Sequence, residues 1–392
     1  MLEWIIVGGG IQGMTMAAFL LKSGKTTVDQ LAIVDRNEEP LARWKQCTEV
    51  ISMPYLRSPS VHHLDVNPFS LQKYVEKADW KNNFYGQYKR PSLKSFNEHC
   101  VHLADDLSIK QAWVQGEVIS ACKTGQGWEI QLQNKRRLEG RKLVISIGIG
   151  EQPQWPQWPE WARQFKQEHG GPVYHIFDEN IPELTQLQGP ITIIGGGISS
   201  VHLALKLSKI YPHDVTVLKR HPFRIHDFDS DPGWLGPKKQ RPFRAISSFQ
   251  KRRETIIQAR NKGSIPPDLH KALMNQVKQG LLSVMDVEVK SAVWKDGHIS
   301  LRDKNEKDIQ QTGTIFLATG FKSAMPGKDW LTPVIRSHDL RCAECGYPIV
   351  SQSLQWGPGL YVTGALAELE MGPISRNISG ARQAAERIVN SL

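Results

Sequence analysis

Short apolar runs that stop at glycine clusters set the rhythm of this chain. Trp4-Ile5-Ile6-Val7 runs into Gly8-Gly9-Gly10-Ile11-Gln12-Gly13, and Ile191-Thr192-Ile193-Ile194 runs into Gly195-Gly196-Gly197-Ile198-Ser199-Ser200. Each reads as strand, glycine turn, helix. The first unit predicts a strand over 3–7, a helix over 12–23 and a strand over 30–34 closed by Asp35. From Arg36 to Leu103 the pattern is lost, and Pro40, Pro54, Pro59, Pro68 and Pro91 predict irregular chain. Strands are expected at 117–120, 128–133 and 142–147, the last running into Gly148 and Gly150. The Pro- and Trp-rich stretch from Gln152 to Pro159 reads as a boundary, with Trp155, Trp158 and Trp161 stapling domains together.

The second unit begins near Gly189 and has its second strand over 214–218. Residues 221–280 read as largely helical after Phe243, with apolar positions at Phe249, Ile256, Leu269 and Leu273. Strands return at 286–294 and 298–302, then at 314–321, where Thr319-Gly320 makes a glycine turn. A strand over 359–363 and a helix over 374–390 close the chain.

In each glycine turn the backbone can bend tightly and approach a pyrophosphate, while the following helix aims its amides and positive dipole end at the anion. One such turn is a weak signal. Two in strand–turn–helix context point to two dinucleotides held together, a flavin and a nicotinamide. Asp35 stands where an acid accepts both hydroxyls of an adenosine ribose. At the matching place in the second unit stand Lys219-Arg220-His221, cations suited to a 2′-phosphate, so NADPH is expected over NADH.

A length of 392 residues allows two or three domains, each with its own core. The apolar stretch Ile5–Leu21 contains Gln12 and four glycines and falls short of a membrane span, so we expect a cytoplasmic protein. Five scattered cysteines make no disulfide framework, and Cys342-Ala343-Glu344-Cys345 has no second ligand pair for zinc. The net charge of +10 is concentrated between Lys219 and Lys262, where twelve Lys/Arg face four Asp/Glu. No nucleic-acid motif accompanies it, and the reading favoured is a solvated basic insertion, part of it serving the nicotinamide phosphate.

At these glycine turns, at Ala318-Thr319-Gly320 and at Gly359-Leu360-Tyr361-Val362-Thr363-Gly364, the chain resembles the two-dinucleotide-binding-domain flavoproteins. Within them it is most similar to flavin-dependent monooxygenases: the flavin-containing, Baeyer–Villiger and N-hydroxylating ornithine/lysine groups. The resemblance implies an α/β fold with two Rossmann-like domains, the NADPH domain inserted into a discontinuous FAD domain. Residues 1–150 and 321–392 would form the FAD domain, 188–320 the NADPH domain with its basic insertion at 221–280, and 151–187 a linker. It also implies FAD and NADPH as cofactors, with a small-molecule substrate and molecular oxygen as partners. It gives no reason to expect nucleic acid or membrane, and leaves a homo-oligomer open.

Carried over to this sequence, the cofactor-binding candidates of the first unit are Gly8, Gly10, Gln12, Gly13, Asp35, Arg36, Arg43, Trp44 and Gly148. Those of the second unit are Gly195, Gly197, Ser199, Ser200, Lys219, Arg220, Thr319 and Gly320. Near the C-terminus, Gly364 and the turn Gly372-Pro373-Ile374 would face the flavin, with Glu368, Glu370 and Arg376 beside it. The loop from Met53 to Asp65 supplies the catalytic candidates: Arg57 for a phosphate or carboxylate, and His62 and His63 as proton donors. Two departures stand out. The phenylalanine–glycine–histidine signature of the Baeyer–Villiger and flavin-containing groups is partial, with His169, Gly171, His175 and Glu179 in its place. The paired cysteines of disulfide reductases are missing around Cys47. A reductase without oxygen insertion and a flavin-binding redox sensor remain alternative readings.

Overall fold

The computed structural model describes residues 1–78, 83–150, 152–156, 172–295 and 297–392. Trp158, Trp161, His169 and Gly171 therefore lie outside the described residues. Runs such as Trp4–Val7 and Thr314–Leu317 are buried at every position, as strands covered on both faces must be.

In chain order, strand β1 (Leu2–Val7) leads into helix α1 (Ile11–Lys22) and β2 (Leu31–Asp35), the first Rossmann-like unit. Helices α2 (Ala42–Ile51), α3 (Ser70–Lys77) and α4 (Leu93–Asp106) follow. Next come β3 (Trp113–Gln115), β4 (Val118–Lys123), β5 (Trp128–Leu132) and β6 (Arg137–Ile145). The second unit comprises β7 (Val173–His175), β8 (Ile191–Ile194), α5 (Ile198–Ile210) and β9 (Val215–Lys219). After it stand α6 (Phe249–Ala259), α7 (Pro267–Lys278), β10 (Ser283–Asp286) and β11 (Thr314–Leu317). Strands β12 (Gln355–Gly357) and β13 (Leu360–Val362) and helix α8 (Ile378–Asn390) complete the chain.

Two sheets result. The first runs β12-β13-β6-β1-β2-β3, with the β4–β5 hairpin attached to β6. Its β13 lies parallel to β6, Leu360 opposite Leu143, so both ends of the chain build one sheet. The second runs β10-β9-β8-β11-β7 and every pairing in it is parallel. The chain is thus an α/β protein with two Rossmann-like units, as the glycine turns predicted, the second inserted within the sequence of the first, as the resemblance implied.

Three expectations need correction. Residues 36–103 are not irregular. The prolines fall between helices, and α4 buries Phe96, His99, Cys100 and Leu103 along one face. Its start is fixed by Ser92, whose hydroxyl accepts the Ser95 amide at 3.0 Å. The strand expected over 286–294 is divided, β10 ending at Asp286 and a strand of a separate three-stranded antiparallel sheet opening at Ser291. The basic insertion is not a solvated appendage. Its Trp234, Phe243 and Ile256 join the core of the first body, and its Ile265, Leu269 and Leu273 join the core of the second.

Candidate functional site

The first glycine turn is tight because the backbone around it leaves no room for side chains. Gly8 has φ +107°, and a Cβ there would lie 2.8 Å from the Ser146 carbonyl oxygen. A Cβ at Gly13 would fall 1.7 Å from the Gly8 oxygen, so α1 begins pressed against the end of β1. Asp35, the last residue of β2, reaches back to this turn. Its Oδ2 accepts the Gly9 amide at 2.7 Å, and its Oδ1 accepts the Asn37 amide at 2.9 Å.

Above the turn opens a cavity of about 380 Å³. It is lined by Gly8, Gly10, Gln12, Asp35 and Arg36 from the first unit, Arg43 and Trp44 from α2, and Gly148 from the loop after β6. The C-terminal segment supplies Gly327, Trp330, Gly364, Ala365 and Arg376. Two buried polar atoms in this wall have no partner among the described residues, Oε1 of Gln12 and Nε of Arg43. Their other atoms are anchored: Gln12 Nε2 donates to the Ser375 carbonyl at 3.0 Å, and Arg43 Nη1 to Gln46 at 2.6 Å. An acceptor and a donor left open in a concave cleft suit a polar ligand. Trp44 is held by its ring N–H on Asn97 at 2.9 Å. Arg36 pairs with Glu179 at 2.9 Å across the mouth.

Gly327 and Trp330 were not foreseen, because nothing local marks them; they stand at the start of the helix Lys328–Ser337, which packs against β4 beside the cleft. The turn Gly372-Pro373-Ile374 is a correction in the other direction. It is buried outside the cleft, with Gly372 against Trp234 and Phe243, and α8 begins only at Ile378.

The second glycine turn repeats the first in outline. Gly195 has φ +136° and would place a Cβ 2.5 Å from the Ala318 oxygen. Ser200 is fully buried and donates to the Gly195 carbonyl at 2.6 Å, while Ser199 and Gly197 are half-buried at the start of α5. Thr319 and Gly320 are tied to the linker, Thr319 to the Gln154 carbonyl and the Gly320 carbonyl to His175 at 3.0 Å. Arg220 is exposed at the end of β9. Lys219 is not: it is buried and paired with Asp286.

The loop candidates do not enter the cleft. Arg57 donates to the carbonyls of Asp227 at 2.8 Å and His226 at 2.6 Å, and to the Ser264 hydroxyl at 2.9 Å. It joins the first body to the insertion. His62 and His63 lie near the far end of α1. His63 accepts the Asp65 amide on Nδ1, meets the Pro68 carbonyl through Nε2 at 3.0 Å and packs edge-on against His99. Burial and the nearby Arg382 guanidinium push His62 down to about 4, and burial likewise pushes His63 to about 4. These are neutral structural histidines, and the sequence could not reveal it because Arg382 and His99 are remote in the chain.

Behind the cleft the insertion is bolted to the C-terminal turn by ion pairs. Glu368, fully buried, meets Arg253, Arg260 at 3.5 Å and Arg376 at 2.8 Å. Glu370 meets Arg252 at 3.1 Å, with Arg244 and Arg387 each at 3.6 Å. Burial, aided by repulsion from Arg376, lowers Arg260 to about 9. Arg376 also donates to the Tyr347 hydroxyl at 3.2 Å, which fixes it in the cleft wall. Among the described residues no group of three metal-ligating side chains occurs, all five cysteines are free, and no helix is long and apolar enough to cross a membrane.

Residues 5–150 match a family model described as FAD-NAD(P)-binding. No curated protein matches the chain. Among solved structures, ornithine hydroxylase from Pseudomonas aeruginosa is similar with a TM-score of 0.75 at 18% identity, over 99% of this chain and 98% of that one. The cadaverine monooxygenase of desferrioxamine biosynthesis from Erwinia amylovora, solved bound to FAD, gives 0.76 at 15% identity, over 100% and 94%. Bacillithiol disulfide reductase from Staphylococcus aureus gives 0.63 at 18%, over 100% and 97%. At such identities the likeness is one of fold.

Proposed function

We propose that this chain is an FAD-dependent, NADPH-using oxidoreductase of the monooxygenase kind, oxidising a nitrogen or sulfur of a small molecule with molecular oxygen. The observation that carries the reading is a cleft with an unmet acceptor and an unmet donor, Gln12 Oε1 and Arg43 Nε, beside a glycine turn, in a chain that repeats that turn. FAD held in this cleft would supply the electron store, with the chemistry of hydride acceptance from a nicotinamide and of electron donation to oxygen.

The chain's own residues bind and orient. Asp35 keeps a lone pair on Oδ2 for a ribose hydroxyl while its other contacts hold it still. The free amides at the start of α1 favour a pyrophosphate, and Arg43 and Gln12 add a donor and an acceptor. Arg376, braced by Glu368 and Tyr347, brings a cation to the opposite wall. Trp44 and Trp330 present apolar surface that keeps water from the site. At the second turn, the start of α5 serves the nicotinamide pyrophosphate and Arg220 is the exposed cation for a 2′-phosphate.

Ornithine and cadaverine, the substrates in the names of the two similar enzymes, are amines, and this favours nitrogen as the oxidised atom. The reductase likeness keeps open transfer without oxygen insertion, although Cys47 stands alone and its thiol is pushed up by burial. One experiment decides. Purified protein should be yellow and bleach with NADPH under nitrogen. On admitting air with a panel of primary amines and thioethers, an oxidised product supports the monooxygenase; hydrogen peroxide stoichiometric with NADPH and no product leaves the reductase. A colourless protein that no FAD restores would sink both.

A further inference from the structure

The end of β9 is where a Rossmann-like unit meets the adenosine ribose, and here its cation is already engaged. Lys219 and Asp286 are register partners on adjacent parallel strands, at the carboxyl ends of β9 and β10. The Lys219 ammonium is bonded to the Asp286 carboxylate and to the His221 carbonyl at 3.3 Å, and it sits 4.6 Å from the centre of the Phe223 ring. Three donors meet two acceptors and one aromatic face. The stem runs beneath the second glycine turn: a Cβ at Gly196 would touch Lys219 Cβ at 3.2 Å and Cδ at 3.5 Å. The lysine side chain is 6% exposed and the aspartate 69%. What this corner shows to solvent is therefore a carboxylate and Arg220, not a lysine.

We propose that Asp286 is a specificity-determining residue for the coenzyme, holding Lys219 away from an incoming 2′-phosphate and opposing it with its own charge, so that Arg220 alone reads that group. This rests on the nicotinamide reading of the second unit. The acid stands on the neighbouring strand and not in the turn after β9, which is why inspection of that turn alone overestimates its positive charge. The preference for a 2′-phosphate is then a balance between Arg220 and Asp286, and removing the acid strengthens it.

The test is calorimetric titration of the flavin-loaded protein with adenosine 2′,5′-bisphosphate and with AMP, which separates binding from turnover. Asp286→Asn, an exposed change that keeps the hydrogen bond, should tighten the bisphosphate roughly three- to ten-fold and leave AMP within about twofold. Lys219→Met should weaken the bisphosphate by exposing an unpaired carboxylate, and Lys219→Met/Asp286→Asn should return it to within about twofold of the parent. If the double variant stays as weak as Lys219→Met, Lys219 reads the phosphate itself and the proposal fails. It fails also if Asp286→Asn leaves the ratio of the two ligands unmoved while the parent binds both. A parent protein that binds neither ligand overturns the nicotinamide reading, and this inference with it.

Discussion

Gly13 and Ser200 hold the same place in the two turns and meet it differently. At Gly13 a side chain would collide with the Gly8 carbonyl, whereas Ser200 uses the corresponding Gly195 carbonyl as an acceptor. Such rules are local, so the two strand–glycine–helix turns were legible in the sequence, whereas Ser200, expected to help hold a pyrophosphate, turns inward to the Gly195 carbonyl. The roles of His62 and His63 were not legible, because they depend on groups brought near by folding. Their surroundings lead to a pH prediction. His63 and His99 are buried and held neutral, pushed by burial to about 4 and about 3. In the unfolded chain both titrate near 6.5, so below that value the unfolded state takes up protons that the native state refuses. Stability should be flat from pH 8 to 7 and fall as pH drops through 6.5 toward 4, with His63 alone accounting for on the order of 3 kcal/mol across that window. Urea midpoints measured from pH 8 to 5 check this, and His63→Gln should lessen the slope. A midpoint that rises on acidification would contradict it.

Between elements, the basic stretch of the insertion acquires a purpose that charge counting hides. Twelve cations spread between Lys219 and Lys262 read as a solvated face, yet Arg244, Arg252, Arg253 and Arg260 converge on two glutamates from the far end of the chain. Periodicity revealed the helices of this insertion but not their partners, because Glu368 and Glu370 lie more than a hundred residues on. The helices of residues 36–103 escaped for another reason: proline density predicts irregular chain, although these prolines fall between helices. Glu368 is the keystone of the ion pairs. Glu368→Gln would leave Arg253, Arg260 and Arg376 facing one another in a buried site, at a cost of about 3–5 kcal/mol by analogy with broken buried pairs. Thermal unfolding should show a large fall in Tm, partly recovered in Glu368→Gln/Arg260→Leu, which relieves the excess charge. Loss of less than about 1 kcal/mol would mean that solvent screens the cluster.

Across the whole molecule, the first body is tied to the insertion by two sets of polar straps. One is the glutamate–arginine cluster. The other runs from the first body through Arg57 to the carbonyls of His226 and Asp227, and through Arg90 to Asp268 at 2.6 Å. The two Rossmann-like units were legible because each carries its own glycine signature, while the straps were invisible because carbonyl acceptors leave no mark in a sequence. Arg57 thus separates two accounts of the same residue. As a group in contact with substrate, its removal would abolish product formation and leave reduction of the flavin by NADPH untouched. As a strap, Arg57→Ala should leave flavin content and spectrum unchanged and slow anaerobic reduction by NADPH, by up to about tenfold, since a small misplacement of one body against the other is felt directly in transfer between them. Arg57→Lys should restore little, because an ammonium cannot reproduce a fork that reaches two carbonyls and a hydroxyl together. Rapid-mixing measurement of flavin bleaching, followed by product yield per flavin reduced, tells them apart: a slowed first step with normal yield fits the strap, and a normal first step with lost yield returns Arg57 to the reacting centre.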